Sequence, residues 1–422
     1  MWGIPSVIFL VAFFHRVAPG VVAKELMESF QATGTLLGLL SAVYFYVYAA
    51  LMIPAGLLVD SYGPRRVVAA GGALMGAGTL LMGWAGSTGP LFVGRFLVGL
   101  GASVTFVGAL KAAAIWFPPR RFGALSAATA TMGVLGALVA TVPLALLASA
   151  IGWRGAFVVV GGVTVVASLV CWRVVRDHPR DLGFAADGVG NGPAALPFGQ
   201  VLSSAGAVLR NPHTWPPFLA FFCLYAASGN LMLWVVPFLR DVYGLTTSQA
   251  AAYATATSLA LLFSAPLTGY LSDRVLGRRR PLYVGLCWGS VTLWAVFLLT
   301  LGRLPLWGLY ALFFLMGVSG AAFVLTWPLG REVNPPHLAG VSVAVVNLGG
   351  FVGVAFTQGP VGAVLDARWA GALAGGARIY PLAAYSAAFL VCGGFILAAA
   401  LFALLVRETR CQNIYGLLHQ RS

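Results

Sequence analysis

Gly56-Leu-Leu-Val-Asp60-Ser-Tyr-Gly63-Pro-Arg65-Arg66 and Gly269-Tyr-Leu-Ser-Asp273-Arg274-Val-Leu-Gly277-Arg278-Arg279-Arg280 are two versions of one polar loop, each set between long apolar segments. Asp60 and Asp273 stand 213 positions apart, close to half of the 422 residues, which reads as a duplicated unit. The second copy carries one extra residue between its aspartate and its glycine. A second echo supports the duplication: Pro118-Pro119 with Gly123 reappears as Pro335-Pro336 with Gly340. What repeats should be architecture, and what fails to repeat should be function.

The loops sit in a chain that water would not tolerate. It is 60% hydrophobic and 9% charged, with a mean hydropathy of +0.91, the composition of a polytopic membrane protein. Twelve apolar stretches approach or exceed the length of about twenty residues that crosses a bilayer. They run over 5–22, 35–58, 67–86, 90–116, 123–149, 155–175, 215–238, 250–271, 282–300, 304–329, 340–364 and 380–406. The expected fold is an all-α membrane protein, twelve transmembrane helices in two six-helix pseudo-symmetric bundles. Residues 1–175 form the first bundle, 176–213 a cytoplasmic linker, 214–406 the second bundle and 407–422 a cytoplasmic tail. The linker holds Asp177-His178-Pro179 and a Gly/Asn/Pro stretch at 188–193, with a short interfacial helix expected near 198–208.

A net charge of +14 invites a nucleic-acid reading. Sorting the charges by loop argues against it. With both ends inside, the inner segments hold sixteen arginines, among them Arg65, Arg66, Arg278, Arg279, Arg407 and Arg421, whereas the outer segments hold six basic residues. This positive-inside bias is an orientation signal that places both termini in the cytoplasm. The partner implied is the lipid bilayer, not nucleic acid. The first apolar segment lacks a basic leader and a small-residue cleavage site and carries His15-Arg16, so it is expected to be a retained helix. Twenty-three arginines against two lysines, with abundant Ala and Gly, suggest a GC-rich prokaryote and hence the cytoplasmic membrane.

The five cysteines (Cys171, Cys223, Cys287, Cys392 and Cys411) show no metal-ligand spacing, and neither Lys24 nor Lys111 follows a phosphate-binding loop. No cofactor or metal is expected, and no nucleophile–base pair or carboxylate dyad appears at membrane depth, so the chain is not read as an enzyme.

The loop Gly56, Asp60, Gly63, Arg65, Arg66 resembles the signature of the major facilitator superfamily, and Gly269, Asp273, Gly277, Arg278, Arg279 resembles its second copy. Arg95-x3-Gly99-x-Gly101 in the fourth segment and Gly152-Trp153-Arg154 before the sixth are similar to further motifs of that family. The resemblance covers the whole chain. It implies two halves related by an axis normal to the membrane, a substrate site between them near the midplane, and alternating access. It also implies that the Asp60 cluster latches the halves; the alternative is that these charges only cap and orient the helices.

The halves differ in their buried charges. Only Arg16, Arg95 and Lys111 fall within spans, with His15 as a titratable companion, all in the first half. A basic residue near the midplane costs about 2.5–3.5 kcal/mol on insertion scales, so it is expected to face a wet cavity and to have a task. No Asp or Glu lies deep in any apolar stretch, so an anionic substrate would complement Arg16; a structural role on backbone carbonyls is the alternative. Phe13-Phe14-His15-Arg16 is similar to the helix-1 arginine of the organophosphate:phosphate antiporters and their organic-anion relatives. The phosphate-binding members add an arginine from the seventh helix, where this chain has Asn230 at the mirrored position, which favours a carboxylate.

Arg95 is read as a signature residue, structural or coupling; Lys111 as an inner-vestibule relay or a residue snorkelling to headgroups. His15 is a candidate for substrate contact and proton coupling. Further substrate candidates are Tyr44 and Tyr48, one helical turn apart, with Asn230, Tyr253, Asn347 and Gln358. Gly99, Gly101, Gly133, Gly136, Gly349, Gly350 and Gly353 read as helix-packing positions. The expected function is secondary transport of a small organic anion, with protons or a counter-anion as coupling partner, by a monomer. Efflux of an amphipathic drug or metabolite is the alternative, disfavoured because Pro143 with Gly133 and Gly136 does not complete the efflux pattern. A receptor or scaffold on the same fold is the alternative from another class.

Overall fold

Two glycines cut the longest helical stretches into separate passes. Gly63 (φ 80, ψ 154) lies within Gly34–Trp84 and Gly152 (φ 75, ψ 158) within Val142–Val174, both in a backbone region essentially closed to residues with a Cβ. The structure, a computed structural model, describes residues 1–183 and 198–419; the 188–193 stretch and Arg421 lie outside them. Among the described residues eleven helices are long and apolar enough to cross a membrane. Dividing Gly34–Trp84 at Gly63, and joining Arg121–Val139 to the part of Val142–Val174 before Gly152, gives twelve passes.

The helices in chain order are α1 (Gly3–Val21), α2 (Ala23–Phe30), α3 (Gly34–Trp84), α4 (Thr88–Ala102), α5 (Thr105–Trp116), α6 (Pro119–Val139) and α7 (Val142–Val174). After the linker come α8 (Phe198–Arg210), α9 (Trp215–Tyr243), α10 (Thr247–Tyr270), α11 (Arg280–Leu299), α12 (Leu306–Gly320), α13 (Phe323–Glu332), α14 (Ala339–Ala367), α15 (Leu382–Leu405) and α16 (Tyr415–His419). A two-stranded hairpin, β1 (Leu373–Ala374) with β2 (Ala377–Arg378), precedes α15.

The chain packs as two units. Unit 1 is Met1–Glu25 with Val43–Phe198, and unit 2 is Leu26–Ala42 with Gly199–Ser422. In unit 1, α1 runs against α6 where a Cβ on Gly136 would strike the Leu10 carbonyl and one on Gly133 the Phe13 ring at 2.9 Å. Helix contact without side chains is how membrane helices gain dispersion energy where lipid offers no hydrophobic drive. In unit 2 the equivalent crossing sets Gly353 of α14 on the Phe222 carbonyl of α9. Phe238, Phe297, Phe389 and Tyr385 fill the interior, with ring centroids 5.3–6.0 Å apart.

Local signals set the helix ends. Thr246 and Gln249 form a reciprocal capping box at the start of α10, and Gly244, left-handed at φ 66, ends α9. The extra residue of the second loop copy has a structural form. Leu271–Leu276 adopts a π-helical turn, whose wider register holds one residue more per turn, and Gly277 (φ 57) then closes it.

Candidate functional site

In unit 1 the structure brings His15, Arg16, Tyr44, Tyr48 and Arg95 into one buried cluster on α1, α3 and α4. Arg16 Nε donates to the Tyr44 hydroxyl at 3.2 Å. That hydroxyl donates to the Ala12 carbonyl at 3.1 Å, so its acceptor lone pairs are turned to the guanidinium. Three rings surround the charge: Phe13 at 3.9 Å, Tyr48 at 4.9 Å and Tyr44 at 5.9 Å from the guanidinium carbon. The faces of these rings favour a cation in a poorly solvated place. Arg16 is 8% exposed, so the surface it retains is small.

Arg95 is deeper. It is 1% exposed, donates from Nη1 to the His15 carbonyl at 2.7 Å, and lies 4.9 Å from the Tyr44 ring centre. His15 is wholly buried with its Nε2 3.0 Å from the Thr79 hydroxyl. The Thr79 hydroxyl gives its one proton to the Met75 carbonyl at 2.7 Å, so the histidine is the donor in that pair and carries its proton on Nε2. Thr79 escapes sequence reasoning because a threonine in an apolar segment has no distinguishing spacing.

Unit 2 distributes its candidates over separate helix pairs. Asn230 Nδ2 on α9 donates to the Ala226 carbonyl and to the Thr357 hydroxyl on α14, both at 2.8 Å. The neighbouring Gln358 Nε2 reaches the Gly229 carbonyl at 3.4 Å. Asn347 instead accepts from Trp327 Nε1 at 3.0 Å, and Tyr253 packs edge-on against Tyr310 at 5.8 Å. Trp327 is a site neighbour that sequence reasoning passed over.

The signature loops also acquire partners. Asp60 pairs with Lys111 at 2.7 Å, the two side chains 32% and 26% exposed, which places Lys111 beside the first signature loop. Across Gly63, the Arg65 amide donates to Asp177 at 2.8 Å and Arg65 Nε donates to the Trp172 carbonyl at 2.9 Å. Arg66 and Arg278 are exposed. In the second copy Arg279 bridges Asp273 at 2.6 Å and Glu332 at 2.7 Å. Burial alone would lower the Arg279 pKa, but Glu332 and then Asp273 hold it above the ordinary arginine value. Glu408 accepts from the amides of Arg279 and Arg280, both at 3.2 Å.

Asp177 and Glu408 therefore do the same work in the two units: each carboxylate, just past a unit's last long helix, receives amides at the end of a signature loop. Val175-Arg176-Asp177 and Val406-Arg407-Glu408 were the available signal.

The comparisons with known proteins agree with this architecture. The sequence profile of the Major Facilitator Superfamily matches residues 6–358. A probable sulfoacetate transporter of Cupriavidus necator is 27% identical over 380 residues, covering 85% of this chain and 85% of that protein. A probable galactarate/D-glucarate transporter of Escherichia coli is 21% identical over 389 residues, again 85% of each chain. Among solved structures, a bacterial homolog of the human lysosomal transporter Spinster, inward-facing and unoccupied, superposes with a TM-score of 0.75 at 18% identity, covering 97% of this chain and 96% of that one, a likeness of fold. With the profile covering most of the sequence and the duplicated loops in place, the chain belongs to the Major Facilitator Superfamily.

Proposed function

We propose that this protein is a secondary transporter that moves a small carboxylate-type organic anion by alternating access, with Arg16 as the anion's anchor. The observation that carries the reading is the Arg16 guanidinium, held on α1 by the Tyr44 hydroxyl and sheathed by Phe13, Tyr48 and Tyr44. A guanidinium offers five N–H donors in a planar fork that matches a carboxylate. The relatives named for sulfoacetate and for galactarate or D-glucarate support an anionic substrate. Asn230, where the phosphate-ester carriers resembled by this sequence place an arginine, supports a carboxylate over a phosphate ester. His15, Tyr44, Tyr48, Asn230, Tyr253, Asn347 and Gln358 are the remaining residues proposed to shape the substrate path. Arg95 braces α1 through the His15 carbonyl.

The arginine bias favours a cytoplasmic membrane orientation with both termini inside, so the Asp60 and Asp273 loops lie at the cytoplasmic face. Coupling is assigned to protons or a counter-anion, and the working unit to the monomer. The test is uptake of sulfoacetate and of galactarate into proteoliposomes under an imposed pH gradient, and under counter-anion loading. Saturable uptake lost in Arg16→Ala, with the protein still folded, is the expected result. Undiminished uptake in that variant removes Arg16 as the anchor, and an absence of flux for any organic anion overturns the function.

A further inference from the structure

The crossing of third and sixth passes is closed in one unit and open in the other. In unit 1 the end of α3 meets α7 without an intervening side chain: a Cβ on Gly83 would lie 3.0 Å from the Arg154 carbonyl. Arg154 Nη2 then donates to the Ala85 carbonyl at 3.0 Å, and its guanidinium lies 4.4 Å from the Trp153 ring centre. That arginine closes its own crossing. In unit 2 the corresponding pair is α11 with α15, and α11 ends in Leu298 and Leu299 instead of a glycine. A groove of about 460 Å³ remains, lined by Leu298, Leu299, Leu301 and Arg303 from one side and by Leu382 and Ser386 from the other.

The groove lies at a defined depth. α11 has 20 residues, about 30 Å at 1.5 Å per residue, the thickness of a bilayer's hydrocarbon core. It starts at Arg280 beside the second signature loop, so Leu299 reaches the opposite hydrocarbon boundary and Arg303 stands just beyond it, at headgroup level. Leu299 and Trp307 are each 78% exposed, and an indole at this level is typical of the membrane interface. Arg303 is exposed, and among the described residues its guanidinium has no hydrogen bond or ion pair.

Both walls are fixed. The Thr300 carbonyl accepts from the Arg303 amide at 2.9 Å, and Gly302, left-handed at φ 74, turns the chain where a Cβ would lie 3.0 Å from Leu382. On the other side Tyr380 donates from its amide to Asp241 at 3.0 Å and from its hydroxyl to Asp366 at 2.6 Å. Asp366 also accepts from the Gly34 and Thr35 amides at 2.8 and 2.7 Å, the Thr35 hydroxyl at 2.6 Å and Arg378 Nη1 at 3.0 Å. These bonds set where α15 begins. Its N-cap, Pro381, brings no side-chain cap, so the positive end of the helix adds to the charge of Arg303.

We propose that this groove is a binding site for a phospholipid with an anionic headgroup. Arg303 holds the phosphate, and one acyl chain lies between α11 and α15 along Leu298, Leu299 and Leu382, filling the gap that Gly83 and Arg154 close in unit 1. Charge complementarity selects this occupant. Leucine walls suit an acyl chain, and an unopposed guanidinium at the mouth suits a phosphate. A zwitterionic headgroup brings its own cation to Arg303 and binds less well. The volume falls in the range of about 300–1,000 Å³ usual for small-molecule sites.

The test uses the full chain, delipidated in neutral detergent and titrated with dioleoylphosphatidylglycerol or with dioleoylphosphatidylethanolamine. Amide exchange over residues 300–304 and 382–386 reports on the groove, and native mass spectrometry counts the lipids retained. Phosphatidylglycerol is expected to slow exchange in both segments and to bind about fivefold more tightly than phosphatidylethanolamine, the factor that one arginine supplies near an anionic headgroup. Arg303→Gln should bring the two lipids level without disturbing the fold, and Ala383→Trp, which fills the groove, should weaken both. Equal protection by the two lipids, or none by either, would overturn the proposal. A preference for phosphatidylglycerol that persists in Arg303→Gln would overturn it too, by placing the lipid on other basic residues. Protection by glycerol 3-phosphate alone would reveal a site for a free anion and remove the lipid.

Discussion

Arg16 and Tyr44 are joined by a hydrogen bond whose direction is fixed from both ends. The guanidinium donates to the hydroxyl at 3.2 Å, and the hydroxyl donates to the Ala12 carbonyl at 3.1 Å, one turn earlier on the arginine's own helix. The tyrosine therefore orients the guanidinium without competing for an anion. Tyr44→Phe should preserve the fold and the charge and raise the KM for anion uptake by about tenfold, the worth of one hydrogen bond to a charged group. Arg16→Lys should not restore the uptake lost in Arg16→Ala, because an ammonium has no planar fork. Equal uptake by Arg16→Lys and the unsubstituted protein would show that a point charge suffices.

Gly63 and Gly152 share nearly the same backbone conformation, φ 80, ψ 154 and φ 75, ψ 158. Their surroundings differ. A Cβ on Gly152 meets nothing within 4 Å, whereas one on Gly63 lies 2.6 Å from the Asp177 carboxylate. Gly152→Ala thus reads backbone strain alone, about 1–3 kcal/mol. Gly63→Ala adds displacement of Asp177 from the Arg65 amide and should cost about 1–3 kcal/mol more. Denaturant unfolding in detergent compares the two, and equal losses would show that the Asp177 bond contributes nothing.

Much of this is legible in the sequence itself. Hydropathy supplied the passes, and the Gly-x3-Asp pattern supplied the duplication. The extra residue between Asp273 and Gly277 announced a local irregularity, which the chain resolves as a π-helical turn. What stayed hidden are the partnerships. Asp60 finds Lys111, His15 finds Thr79 and Asn347 finds Trp327 across helices, and no spacing along one chain encodes which faces meet. Asp366 was hidden for another reason. A carboxylate just past an apolar stretch reads as an ordinary loop charge until its five donors are seen together.

The Asp60–Lys111 pair is close but wet. At 2.7 Å with a third to a quarter of each side chain exposed, screening limits its worth. A double-mutant cycle with Asp60→Asn and Lys111→Met should give a coupling of about 0.2–1 kcal/mol in thermal or denaturant unfolding. If the cluster gates, the same single variants should alter transport rate far more than stability. Rates that fall only in proportion to folded protein would reduce the loop to an orientation device.

The Arg279 bridge has the opposite character. Arg279 and Glu332 are 7% and 2% exposed, whereas Asp273 is 54% exposed. Glu332→Gln strands a buried guanidinium and should cost about 3–5 kcal/mol. Asp273→Asn removes a wet partner and should cost about 0.2–1 kcal/mol. The pH dependence follows from the sign of the arginine shift. Glu332 and Asp273 raise the folded-state pKa of Arg279 against the lowering effect of burial. Its contribution is therefore fully present below the ordinary arginine value and is lost only in strong alkali, as pH rises through the raised folded-state one. The destabilisation caused by Glu332→Gln should accordingly be the same at about pH 7 and about pH 9, since the guanidinium is charged at both. A penalty that shrinks on going to the higher pH would mean that the stranded arginine sheds its proton, and that Glu332 is what keeps it charged.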